Sequence, residues 1–429
     1  MELNGLSVDQ APPISAPVRF FIAAPLFGIV AGILMFFNES SVLMGRFSVD
    51  SIVIAHALTI GFLGFVMLGA LTQMLPVLVG AKMPKVAFVS KYSFILLTLG
   101  LLFMIAGMLG QNTLFTSLAA FGLGAGFLMM IGSMAIALKG VSNFTPTVKA
   151  ISTSLAFATL IVIMGLYLLY SYITDDITAL HVIIANVHSV WAVFGFAGIL
   201  IIGVAFQVLP MFYVAPKFKS FCKKRVVWLI STGLVMWLLL TLFKEDWTLF
   251  AKSWIAMFFW AFATTVWLKL NKRKRPISDV TVWYWRSASL FLTLGSFLWI
   301  FDEYFKHEYI VMVAILIGGG FIMSIMIGML YKVVPFLVWF HLNGMGYMSI
   351  PTINEMIDKK LSYLQFGTFI LSLIGFIFSF YMPSLLQPSA VSFILSMLIL
   401  EYNVVTPMLI YKKILKTKPD FDMSMFNKE

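Results

Sequence analysis

His56–Gly80 reads HALTIGFLGFVMLGALTQMLPVLVG, and the reading of the whole chain turns on it. One imidazole heads the stretch. Glycines follow at 61, 64 and 69, then Gln73 and Pro76, and nearly everything else is apolar. A helix of this length crosses the roughly 30 Å of hydrocarbon in a bilayer. A titratable ring at the entrance of such a helix raises the question of whether the chain repeats the arrangement.

It does so in part. Counting back from Pro76, glycines lie at Gly69, Gly64 and Gly61, with Gln73 between them and the proline. The same steps from Pro210, within HSVWAVFGFAGILIIGVAFQVLP, give Gly203, Gly198, Gly195 and Gln207. From Pro335, within ILIGGGFIMSIMIGMLYKVVP, they give Gly328, Met323, Gly320 and Lys332. Glycines at fixed steps let helix backbones approach closely where van der Waals packing drives association.

The composition agrees with a membrane location. Hydrophobic residues make up 61% of the 429 and charged residues 11%, with mean hydropathy +0.98. That is too little charge to cover a soluble surface of this size. Apolar runs recur at about 18–37, 51–79, 88–109, 114–138, 148–172, 179–212, 225–243, 247–268, 282–301, 309–340, 361–381 and 386–411. The expectation is an all-α polytopic membrane protein of about twelve transmembrane helices. The glycine pattern falls on the second, sixth and tenth. The chain therefore divides into three pseudo-repeated four-helix units, about 18–140, 148–272 and 282–414, in a single membrane domain. The longest connection, 341–360, has room for a short interfacial helix.

The net charge of +11 sits in short loops, as in APKFKSFCKKR (215–225) and LKLNKRKRP (268–276). That placement points to anionic headgroups and excludes nucleic acid as a partner. Basic residues follow the even-numbered spans, whereas Asp175, Asp176, Glu245, Asp246, Asp302 and Glu303 follow the odd-numbered ones. Both termini are thus expected on the cytoplasmic side of a cell inner membrane. The first 17 residues lack the basic start of a cleavable signal peptide and read as a short cytoplasmic tail. Cys222 is the one cysteine, which excludes an intrachain disulfide and any cysteine-rich metal site. No phosphate-binding, nucleotide or hydrolase motif occurs.

Twelve spans with a three-fold pseudo-repeat resemble the catalytic subunit of the haem–copper oxidases, above all its C-type and nitric-oxide-reductase relatives. The haem-bearing helices of that family run from a histidine through glycine-rich sequence to Gly-Ala-Leu and a proline. His56, Gly69-Ala70-Leu71 and Pro76 match that order. The twelve-span NnrS family of haem- and copper-containing proteins is a second relative. The resemblance implies haem, with copper as a further candidate, and His56 as a haem ligand. It also implies respiratory-chain or denitrification proteins as partners. The chain departs from the pattern where the tenth span would carry a histidine pair, since Val313 and Ile315 stand there. The seventh span, VVWLISTGLVMWLLLTLF, holds none of the copper ligands. Terminal oxidase chemistry is not expected.

Five histidines are available: His56, His181, His188, His307 and His341. His56 and His188 stand 20 and 22 residues before their prolines, level to within about 3 Å. Either they ligate iron or copper, or each ring hydrogen-bonds to a neighbouring helix. His181 and His307 fall at the outer rim as further metal candidates, and His341 reads as a solvated helix end. Gln73, Gln207 and Lys332 share a height near the other face. An ionisable group inside a membrane is a functional candidate because of its desolvation cost. Lys332 either pairs with Glu401 or snorkels to the headgroups, and Arg286 needs no special role. The favoured reading is a haem-binding protein for electron transfer or for handling nitric oxide or another diatomic gas. A carrier for a small solute or metal ion, and a respiratory accessory subunit, are the rivals.

Overall fold

Helices that are apolar on every side have no solvent face, so they bury against one another or against lipid. The computed structural model describes residues 12–274, 278–305 and 308–421, and no strand occurs among them. Twelve long helices follow in order: α1 (Ser15–Phe36), α2 (Val49–Val77), α3 (Val86–Leu109), α4 (Thr113–Lys139), α5 (Pro146–Thr174) and α6 (Ala179–Tyr213). The second half comprises α7 (Ser220–Phe243), α8 (Thr248–Asn271), α9 (Val280–Phe301), α10 (Ile310–Gly344), α11 (Lys359–Phe378) and α12 (Pro383–Ile414). Eleven are long and apolar enough to cross a membrane. The exception is α9, whose 22 residues include Arg286 and several hydroxyl side chains that dilute its apolarity. The chain is a multi-pass membrane protein.

Three helices are more enclosed than most others. The apolar windows of α2, α6 and α10 are 67%, 72% and 67% buried, against 28% for α5 and α7. Outer helices wrap them, with α4 packed on α5, α8 on α9, and α12 back on α1, so that the last helix closes on the first. Where α12 meets α1, Gly28 and Gly32 make the room: a Cβ at either would strike Met397 or Ile394.

The inner helices share two local features. Each contains a π-helical stretch: Ala57–Gly64, Trp191–Gly198 and Ile315–Met323, closing twelve residues before Pro76, Pro210 and Pro335 respectively. A π-turn inserts one residue into the helix, widens it and re-aims the side chains on either side. Each stretch also receives a phenylalanine from the helix before it, Phe27 on Gly61, Phe157 on Gly195 and Phe291 on Gly320. Seven residues before those phenylalanines, Phe20, Ala150 and Tyr284 pack on Gly69, Gly203 and Gly328. A Cβ at Gly203 would lie 2.2 Å from the Ala150 Cβ. Gly203→Val is therefore expected to cost roughly 1–3 kcal/mol or more by overpacking. Gly132 has nothing within 4 Å of an added Cβ, so Gly132→Ala should be neutral or slightly stabilising. Thermal melting in detergent separates the two.

Helix starts follow capping chemistry. Asp279 accepts from the Thr281 and Val282 amides at the head of α9, and Thr145 precedes Pro146 at the first position of α5. The connection after α10, which has room for a short helix, holds none between 345 and 358. The C-terminal segment orders it instead. Asp420 accepts from the Met348 and Ser349 amides, at 2.6 and 3.1 Å, and the Tyr347 hydroxyl donates to the Thr417 carbonyl. Those amide bonds hold the Asp420 carboxyl below its ordinary value. The contact is then complete above the usual carboxylate range and is lost as pH falls through the lowered value. Hydrogen exchange at the Met348 and Ser349 amides, corrected for intrinsic rate, should lose protection in that acid window. Asp420→Asn should weaken the protection already at neutral pH.

Candidate functional site

The π-stretches of α2 and α6 lie just past His56 and His188, and these two rings come together. Their centres are 6.1 Å apart and their planes 27° from parallel. Each is half-buried and fixed through Nδ1. His56 Nδ1–H donates to the Ile52 carbonyl one turn back, at 2.7 Å. His188 Nδ1–H donates across to the Ile161 carbonyl of α5, at 2.9 Å. A carbonyl only accepts, so Nδ1 carries the hydrogen in both rings, and each neutral ring keeps its lone pair on Nε2.

Gly165 makes the second bond reachable. It lies one turn beyond Ile161, and a Cβ there would come within 3.2 Å of the His188 ring. A backbone carbonyl that fixes the tautomer and orientation of an imidazole is the usual support behind a metal-ligating histidine. The spacing fits the same use. A metal bonded to two imidazole nitrogens at about 2 Å each sets the ring centres roughly 6 Å apart.

No group of three or more His, Cys, Asp or Glu side chains suited to a metal occurs among the described residues. A bare zinc or copper(II) ion takes three or four ligands, so two imidazoles underfill it. A porphyrin brings four nitrogens of its own and asks the protein for two axial ones. Two imidazole donors are the number that haem would ask of the protein.

The other histidines stand apart from this arrangement. His181 lies in the first turn of α6, 4% exposed, with its ring edge-on to Tyr172 and Nδ1 unpartnered. It is thus buried in the bundle rather than in a loop. His307 lies outside the described residues. His341 is half-buried against Phe340 with Nε2 enclosed, not a solvated end.

About 15 Å further along α2, an apolar cavity of about 60 Å³ lies between the inner helices, lined by Val66, Met67, Ile201, Val204, Met326 and Met329 among others. It is far too small for a porphyrin and offers no polar group to a solute. Beyond it stand the remaining polar residues. Gln73 is 5% exposed with neither amide atom partnered, and Gln207 is half-buried. Lys332 pairs with Asp279, the α9 cap, and not with Glu401. The Glu401 carboxyl keeps one oxygen enclosed without a partner. Asp279 at the N-cap of α9 turns its carboxylate toward α10, where Lys332 reaches it.

One buried cluster has no counterpart in the sequence reading. The hydroxyls of Tyr284 and Tyr331 both donate to Gln365 Oε1, Gln365 Nε2 donates to Ser396 Oγ, and Asn403 Nδ2 donates to the Tyr331 hydroxyl. The signal was present in the seven-residue steps from Gln365 to Ser372 along α11 and from Ser389 through Ser396 to Asn403 along α12. No known protein family's sequence pattern matches the chain, and no curated protein matches it significantly.

Proposed function

We propose that this chain is a haem-binding electron-transfer protein of the inner membrane with an architecture like that of the haem–copper oxidases. In this reading twelve spans form three four-helix units, both termini are cytoplasmic, and α2, α6 and α10 are equivalent helices. The three π-stretches at one distance from their prolines support the repeat, as do the matched Phe-on-Gly contacts. The lysine and arginine bias supports the orientation.

The observation that carries the function is the His56–His188 pair: rings 6.1 Å apart, each with Nδ1 tied to a carbonyl and Nε2 left to donate. His56 and His188 would hold haem, which would supply a one-electron iron couple when bound. Ile52, Ile161 and Gly165 orient the rings. Both histidines would be committed to holding the group, which supports electron transfer over nitric oxide or oxygen chemistry. Respiratory-chain or denitrification proteins are the partners this role requires. The apolar lining of the axial cavity gives the carrier reading no support.

Purified protein should contain about one haem per chain by pyridine haemochrome assay and show a reduced-minus-oxidised spectrum of the six-coordinate low-spin type. Colourless protein from haem-replete cells, free of metal by elemental analysis, would overturn the reading.

A further inference from the structure

A second site lies on the outer surface, where the inner-cluster residues play no part. At the end of the bundle that carries the 217–225 and 269–275 basic loops, α8 and α9 lie side by side. Arg286 of α9 is half-buried there, two turns into the helix. Its guanidinium lies 5.6 Å from the Trp267 ring centre on α8 and 5.5 Å from that of Trp283 on α9. One Nη2–H donates to Asn271 Oδ1 at 3.1 Å. The Nε–H is enclosed without a partner, and no carboxylate pairs with the group among the described residues.

The two tryptophans are 43% and 42% exposed (Trp283 and Trp267), on a surface that continues along α9 through Leu290 and Leu294, 55% and 48% exposed. A bundle made of membrane-spanning helices turns such a surface to lipid. A guanidinium held at that depth has lost part of its hydration and has one neutral hydrogen-bond partner. The guanidinium lies over both indole rings, and its Nε–H has no partner. Tryptophan itself favours the headgroup level. Lys272, exposed one residue past Asn271, adds positive charge at the rim.

We propose that Trp267, Asn271, Trp283 and Arg286 form a binding site for the phosphate of an anionic glycerophospholipid, whose acyl chains run along Leu290 and Leu294. Guanidinium and phosphate match as a charge-assisted, two-point pair, and a basic recess between membrane helices is where such headgroups bind. An unmet cation at the headgroup level, flanked by indoles and continued by an aliphatic surface, matches both halves of that ligand. Free phosphate lacks the acyl half, and a zwitterionic lipid brings its own cation up to a rim that Lys272 makes positive.

The test is native mass spectrometry of the full-length protein, delipidated in detergent and titrated with phosphatidylglycerol, phosphatidylcholine or inorganic phosphate. Phosphatidylglycerol should form a discrete adduct and raise the melting temperature, and the other two should do neither. Arg286→Gln should weaken the adduct about tenfold or more, as expected for one charge-assisted contact. Arg286→Lys should fall between. Trp267→Leu, which leaves the Arg286–Asn271 bond in place, should weaken the adduct while the protein still elutes as a single species. Equal binding of phosphatidylcholine, or an Arg286→Gln protein that keeps its phosphatidylglycerol, would overturn the proposal. So would adducts formed by inorganic phosphate alone, or a dimer of the delipidated protein that Arg286→Gln dissociates.

Discussion

Replacing His188 by alanine is expected to abolish the haem spectrum while leaving the bundle folded. If the ring were only a packing group, its loss would remove one interhelical hydrogen bond, worth about 0.6 kcal/mol on average in a membrane protein, and change no colour. If the ring holds haem, its removal would leave His56 alone to hold the group, and haem content should fall by much more than tenfold. His56→Ala should behave alike. Gly165→Leu is the sharper variant because it touches no ligand. Its side chain would occupy the space of the His188 ring and part it from the Ile161 carbonyl. Loss of such a supporting bond typically costs about 10–100-fold in metal affinity. Gly165→Ala, whose methyl asks the ring to yield by a few tenths of an ångström, should retain partial occupancy. Haem per chain and the low-spin absorption report all four, with melting temperature as the control for folding. Full haem in His188→Ala would end the axial-pair reading.

Asp279→Asn should be among the most destabilising single substitutions outside the helix contacts. Asparagine still caps α9, because its side-chain oxygen can accept from Thr281 and Val282 as aspartate does. What disappears is the countercharge of Lys332, an ammonium whose side chain is 7% exposed. Breaking a buried pair from one side costs about 3–5 kcal/mol. The lower end applies here, because the Asp279 side chain is 32% exposed and water reaches it. Adding Lys332→Met to Asp279→Asn removes the stranded charge and should recover most of the loss. Glu401→Gln should change melting little, since Glu401 has no ion pair to lose. Denaturation in detergent, read through the double-mutant cycle, gives the coupling directly. A coupling near zero would mean that the two groups act independently.

These two cases mark what was legible in the chain and what was not. The all-helical, multi-pass class followed from apolar run length, and the matching heights of His56 and His188 from steps counted back to a proline. Both are one-dimensional properties. That the two rings meet depended on rotation about the axes of α2 and α6, which the π-stretches alter by inserting a residue. A regular 3.6-residue reading of either helix therefore could not aim the side chains. Gly165 was invisible for a related reason: its role lies in a carbonyl one turn away and a ring on another helix. The Lys332 partner was missed because height along the helix was used and lateral neighbourhood was not. Glu401 is near the right height, but Asp279 is the carboxylate that faces α10. The Tyr284–Gln365–Tyr331–Asn403 cluster spreads over four helices, and no single window of sequence contains it.

The seam between α1 and α12 bears on how the protein is made. Ribosomal synthesis delivers α1 first and α12 last, yet Gly28 and Gly32 form a groove shaped for Met397 and Ile394. Throughout elongation that groove has no native occupant, and the barrier to completing the circle is crossed only after residue 397 has entered the bilayer. A polypeptide released before that point leaves the notch on its oldest helix unfilled.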